Sequence, residues 1–132
     1  MIGIRRGWAG LVDIVREKDH DNSENFQTLS EDLVNRTGRT GGTFLHTSRT
    51  NPGKVEKARV PLHLQSTYTA EKNDLTAEVL KNIDWLGIDY LIPIGGDDTL
   101  SYGVRLYQEG VKVVAIPKTM DNDCLLYTSR CV

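Results

Sequence analysis

The second half of the chain carries the readable hydrophobic pattern. Within "TAEKNDLTAEVLKNIDWLG", Leu75, Val79, Ile83 and Leu86 recur at spacings of four, four and three. That rhythm sets one apolar stripe on a helix ending near Gly87. Ile88–Ile94 follows as a largely apolar run of buried-strand type. The polar stretch Gly95–Thr99, "GGDDT", separates it from a second helix, Thr99–Glu109, which Gly110 ends; "VKVVAIP" is another buried strand. Strand, helix and strand in that order make a βαβ unit, so the two strands should run parallel.

The first half is less regular. Ile2–Ile4 reads as the end of a strand, Arg5 to Trp8 as the loop leaving it, and Gly10 to Val15 as a short continuation. "REKDHDNSENFQTLSED" is polar and reads as a surface excursion. Ser30 to Arg36 has the form of a short helix, with Ser30 as cap and Leu33 and Val34 on the buried side. Gly42 to Leu45 is expected as a short strand between loop-like flanks. Val55 to Tyr68 shows no clean period and receives no assignment. The fold class is α/β, with no internal repeat or low-complexity segment.

Composition narrows the function classes. The chain has 132 residues, 39% hydrophobic and 26% charged, as in an ordinary soluble globular protein. A net charge of −2 gives no general pull toward nucleic acid or an anionic membrane. No apolar stretch approaches the roughly 20 residues that span a bilayer, and no signal-peptide core follows the first residues. A cytoplasmic location is expected. Cys124 and Cys131, both close to the end, make neither a disulfide framework nor a metal site. His20, His46 and His63 have no metal-ligand spacing. Lys54, Lys57 and Arg59 read as a solvated basic face, and Trp8 and Trp85 as packing residues.

The candidate chemistry lies in two loops. In open parallel sheets, ligands sit at the carboxyl ends of the strands. Gly95–Thr99 lies at one such end and Pro117–Asp123, "PKTMDND", at the next, so both loops should face one crevice. Glycines let a ligand approach the backbone, and the helix that follows turns free N–H groups toward it, which favours an anion. Asp97 fits such a place by holding Mg²⁺ that bridges phosphate oxygens. The plain alternative is that Asp98 or Thr99 caps the helix. In the second loop Lys118, Thr119, Asp121, Asn122 and Asp123 gather a cation, a hydroxyl and two carboxylates. Phosphoryl transfer uses those groups as charge stabiliser, acceptor hydrogen bond and base; the plain alternative is a solvated Asx-rich turn.

"IGGDDT" followed by "PKTMDND" resembles the phosphofructokinases, in particular their diphosphate-dependent branch. "RRGWAGL" and "GGTFLHTSRTNP" resemble further segments of that family in the same order, so the resemblance covers nearly all of Ile2 to Asp123. It implies a Rossmann-like, mainly parallel sheet with flanking helices. It implies transfer of a phosphoryl group to the 1-hydroxyl of fructose 6-phosphate in glycolysis or gluconeogenesis, with Mg²⁺. At the matching positions Asp121 becomes the base, with Lys118 as the second catalytic group. Thr119, Asp121 and Asp123 would hold sugar or transferring phosphate. Arg49, Gly95, Gly96, Asp98 and Thr99 would hold the donor phosphates, and Asp97 the metal. ATP-using relatives carry glycine at the position of Asp98 and often at that of Lys118, so these two residues imply a preference for diphosphate over ATP.

The chain departs from the family in extent. Family members are more than twice as long, begin with a strand and a "GGDxPG" loop, and continue into a sugar-binding lobe. Residues 1–123 are therefore expected to be part of an N-terminal donor-binding lobe, incomplete at both ends and inactive alone. Residues 124–132, "CLLYTSRCV", read as a non-family tail, disordered or an assembly scar. The complete protein is expected to be a homo-oligomer acting on small molecules. The rival readings are an ATP-dependent phosphofructokinase, a lipid or NAD kinase (which shares Gly-Gly-Asp but lacks "PKTMDND"), and a non-catalytic phosphate- or nucleotide-binding regulatory module.

Overall fold

A computed structural model describes residues 1–118. Thr119, Asp121, Asn122 and Asp123, both cysteines and the tail expected at 124–132 lie outside the described residues. Two compact units divide the chain, Met1–Leu86 and Gly87–Val132.

In the first unit β1 (Ile2–Ile4) pairs antiparallel with β2 (Phe26–Thr28), Gly3 opposite Gln27. The polar excursion thus supplies a strand that its composition hides. Two buried asparagines hold it in place. Asn22 accepts from the Val15 N–H at 3.1 Å and donates to the Val15 carbonyl at 3.0 Å, and Asn25 donates to the Asp13 carbonyl at 3.2 Å. Between the strands the expected continuation from Gly10 is a short helix, α1 (Trp8–Val12). Its packing needs Gly10 itself: a Cβ there would lie 2.0 Å from the Arg5 carbonyl oxygen.

α2 (Glu31–Thr37) has the expected cap, Ser30 Oγ accepting from the Leu33 N–H at 3.2 Å. Its expected buried side is not found: no residue of α2 is buried, and Val34 is 42% exposed. Two apolar residues on a two-turn helix offer too little surface to hold it down. Gly42 to Leu45 forms bends rather than a strand. The unassigned stretch holds β3 (Val55–Glu56) and two 3₁₀ turns, Lys57–Arg59 and Leu62–Leu64; β3 pairs antiparallel with β4 (Lys72–Asn73).

α3 (Thr76–Leu86) follows the expected stripe: Leu75, Val79 and Ile83 are buried, and Gly87 takes φ 64, the left-handed conformation that ends a helix. Trp85 departs from expectation. It is 43% exposed, because it follows Ile83 by two positions and so turns off the stripe. α3 packs on α1, and a polar network accompanies their buried apolar residues. Asn82, fully buried, donates to the Leu11 carbonyl at 2.8 Å, meeting an acceptor that the end of α1 leaves open. Arg16 then bridges Asn82 Oδ1 at 2.6 Å and Glu78 Oε2 at 2.7 Å, and Lys81 reaches Glu78 Oε1 at 3.0 Å.

In the second unit β5 (Ile94–Gly95) pairs parallel with β6 (Ile116–Pro117), after a parallel bridge between Leu91 and Val113. The βαβ expectation holds here, while the paired strands of the first unit are antiparallel. α4 (Asp97–Gln108) begins two residues earlier than expected and buries Tyr102, Gly103 and Leu106. The ladder is shorter than the two apolar runs and is covered on one face. Leu91 and Pro93 are buried, while Ile92, Ile94, Val114 and Ile116 are exposed. The expectation of strands buried on both faces is therefore corrected. The two short strands with α4 form a small α/β unit. Among the described residues no helix is long and apolar enough to cross a membrane.

Glu78 links the first unit's stability to pH. Burial opposes its charge, but hydrogen bonds and charge from Arg16 and Lys81 outweigh that and hold its carboxyl below the usual range. A lowered folded pKa contributes stability above the unfolded value, about 4.3, and that contribution is lost as pH falls through the folded value. Glu78→Gln is expected to cost about 2 kcal/mol at pH 7, since Arg16 loses a charged partner while keeping some water. It should also flatten the acid limb of stability. Urea unfolding across the acid range checks both; an unchanged acid limb would assign it to another group.

Candidate functional site

The parallel register of β5 and β6 assembles the site. Ile116 N–H donates to the Pro93 carbonyl at 2.9 Å, and one rung later Lys118 N–H donates to the Gly95 carbonyl at 2.9 Å. Parallel strands send both carboxyl ends the same way. The chain leaving Gly95 and the chain leaving Pro117 therefore emerge side by side. The Lys118 carbonyl oxygen is 4.0 Å from where a Cβ on Gly96 would stand.

Gly95 is required by contact. Thr99 folds back over it, so that Thr99 Cβ and Oγ1 lie 2.8 Å, and Cγ2 3.0 Å, from the place of a Cβ on Gly95. α4 starts at once, with Gly96 as N-cap and no side-chain cap. Capping by Asp98 or Thr99, left open by the sequence, is thus not observed. The first-turn N–H groups of a helix have no partner within it. Those of Asp97, Asp98 and Thr99, at the positive end of the helix dipole, point to a place suited to an anion. Both aspartates are exposed and neither makes a salt bridge among the described residues.

No cluster of three or more His, Cys, Asp or Glu side chains among the described residues could hold a metal ion. Mg²⁺ bound with phosphate needs less: one or two carboxylates, with phosphate oxygens and water completing its shell. The exposed Asp97 carboxylate beside an anion-favouring helix end fits that partial donor set.

The structure brings together Gly95, Gly96, Asp97, Asp98, Thr99 and Lys118. Arg49 belongs to the first unit, in an exposed irregular stretch. Thr119, Asp121 and Asp123 lie outside the described residues. Reading the sequence selects Lys118 for its ammonium group and misses its backbone N–H, which registers the two loops. The signal was the matched phase of two apolar runs, each closing on Ile followed by Gly or Pro.

A family model described as phosphofructokinase matches residues 1–131. The ATP-dependent 6-phosphofructokinase of Mycobacterium bovis is 33% identical over 123 residues, 93% of this chain and 28% of the relative. The pyrophosphate–fructose 6-phosphate 1-phosphotransferases of Amycolatopsis mediterranei and Thermoproteus tenax are each 37% identical over 122 residues, 92% and 91% of this chain. The chain spans 28% of the length of these curated relatives. Relatives named for both donors therefore match at similar identity. With a family model matching almost every residue, the chain belongs to the phosphofructokinase family.

Proposed function

We propose that this chain is part of the phosphoryl-donor lobe of a Mg²⁺-dependent phosphofructokinase that uses diphosphate. The supporting observation is the rung between Lys118 and Gly95, which sets a cation-bearing loop beside a helix end that has no side-chain cap and carries Asp97 and Asp98. In this reading residues 1–123 belong to a Rossmann-like, mainly parallel lobe of a longer, homo-oligomeric cytoplasmic enzyme. Its partners are small molecules, with no nucleic acid or membrane surface among them.

The chemistry assigns each group a task. Fructose 6-phosphate offers its 1-hydroxyl, held by Thr119 and Asp123, and Asp121 takes the hydroxyl proton. The oxygen bonds to the terminal phosphorus of diphosphate as the bond to the bridging oxygen breaks, and phosphate leaves. Gly95, Gly96 and the first-turn N–H groups, including that of Thr99, hold donor oxygens, and Arg49 adds a positive charge to the donor. Lys118 offsets charge on the leaving phosphate. Asp97 would hold Mg²⁺, which supplies charge neutralisation between donor oxygens.

Asp98 selects the donor. In ATP the α-phosphate carries charge where diphosphate ends, and a carboxylate beside it repels. At about 4 Å and an effective dielectric near 20 this amounts to about 4 kcal/mol, close to a thousandfold in affinity. The specific observation favouring ATP instead is the 33% identity to enzymes named as ATP-dependent.

Two outcomes test the reading in the complete enzyme. Steady-state kcat/KM should favour diphosphate over ATP, and Asp98→Gly should raise the ATP value by roughly a hundredfold or more. Strong ATP preference with Asp98 in place would overturn the donor assignment. Asp121→Ser should lower turnover by about 10²–10⁴ while donor binding persists. Unchanged turnover would leave a binding module rather than a kinase.

A further inference from the structure

Two residues other than glycine have positive φ among the described residues, Arg6 at φ 56 and His46 at φ 62. A side chain disfavours that conformation, so surrounding contacts must hold each one in place. One hydrogen bond lies between them. Arg6 N–H donates at 2.7 Å to the Leu45 carbonyl, the oxygen of the peptide that leads into His46. Gly7 continues the turn at φ 57, and a Cβ on it would stand 3.9 Å from both the N and the Oγ of Ser48. Arg6 and Gly7 therefore run beside 45–48, and Arg49 is the next residue.

Each side of this contact is anchored elsewhere. Leu45 Cδ2 comes within 2.9 Å of where a Cβ on Gly3 would stand, so the bare backbone of β1 seats the Leu45 side chain. On the other side the Arg6 guanidinium is gripped at two points. Nη1 lies 3.2 Å from Asp13 Oδ2, and Nη2 donates to Asn25 Oδ1 at 2.7 Å. Asn25 is itself buried and fixed. Its Nδ2 donates to the Asp13 carbonyl at 3.2 Å, and its carbonyl accepts from Arg5 N–H at 2.8 Å. Glycine would serve this backbone better, since it adopts positive φ freely, as Gly7 does next door. What arginine adds is the clamp: its charged hydrogen bonds tie the turn to the end of α1 and to the residue before β2.

We infer that Arg6 is a positioning residue for the phosphoryl donor: clamped by Asp13 and Asn25, it holds the Leu45 carbonyl and so fixes the course on which Arg49 leaves Ser48. The inference rests on the proposed contact between Arg49 and the donor. Arg6 acts through the backbone, because its guanidinium is engaged by Asp13 and Asn25.

A double-mutant cycle with Arg49 in the complete enzyme tests this. Arg6→Gly keeps the turn without strain and removes the clamp. It should raise the KM of the preferred donor, diphosphate or ATP, roughly tenfold and leave the KM of fructose 6-phosphate unchanged. Asp13→Asn keeps side-chain size and carries the same test should Arg6→Gly fail to fold. In an Arg49→Met background, which itself raises the donor KM, Arg6→Gly should add nothing. Equal rises for both substrates, no rise for the donor, or a full rise in the Arg49→Met background would overturn the inference and leave the donor assignment to Asp98 standing. An unchanged donor KM in Arg49→Met alone would remove Arg49 from donor binding, and the inference with it.

Discussion

The hydrogen bond from the Lys118 N–H to the Gly95 carbonyl decides which groups of the second unit can act together. It fixes a parallel register, and with it the side on which both loops emerge. A slip of one residue would turn every strand side chain to the opposite face and set Lys118 against a different part of the glycine loop. Thr99 reinforces the arrangement, because its side chain occupies the space over Gly95 and so ties the first turn of α4 to the strand end. Strand, glycine pair and helix end thus behave as one piece, with the helix N–H groups and Lys118 on adjoining segments.

The first unit is held by a different means. Its apolar core is made of Leu11, Val12, Ile14, Val55, Leu75, Val79 and their neighbours, and several joins between elements are polar and buried. Asn82 meets the end of α1, Asn22 and Asn25 pin the excursion, and Arg16 spans Asn82 and Glu78. Buried polar groups of this kind are stable only when every partner is present.

The sequence disclosed what depends on period and local chemistry. The stripe of Leu75, Val79 and Ile83, the Ser30 cap, the Gly87 stop and the parallel sense of β5 and β6 were all legible. Features that depend on tertiary contact were not. β2 lies in a polar stretch because its strand is only partly buried and its neighbours are held by asparagine side chains, so it lacks an apolar alternation. Val34 and Trp85 look like core residues but stay exposed, with no element among the described residues covering them. In the site, residue types pointed to Gly95, Asp97, Asp98 and Lys118. That Gly96 rather than an aspartate caps α4, and that Thr99 turns back onto Gly95, follow from backbone geometry that composition does not encode.

The register of the two strand ends is open to direct measurement. In isotopically labelled protein, a through-hydrogen-bond scalar coupling between the Lys118 amide nitrogen and the Gly95 carbonyl carbon reports that single rung. The account expects the coupling, alongside one from Ile116 to Pro93. A coupling from Lys118 to another carbonyl, or its absence while the Ile116 coupling is resolved, would contradict the shared site.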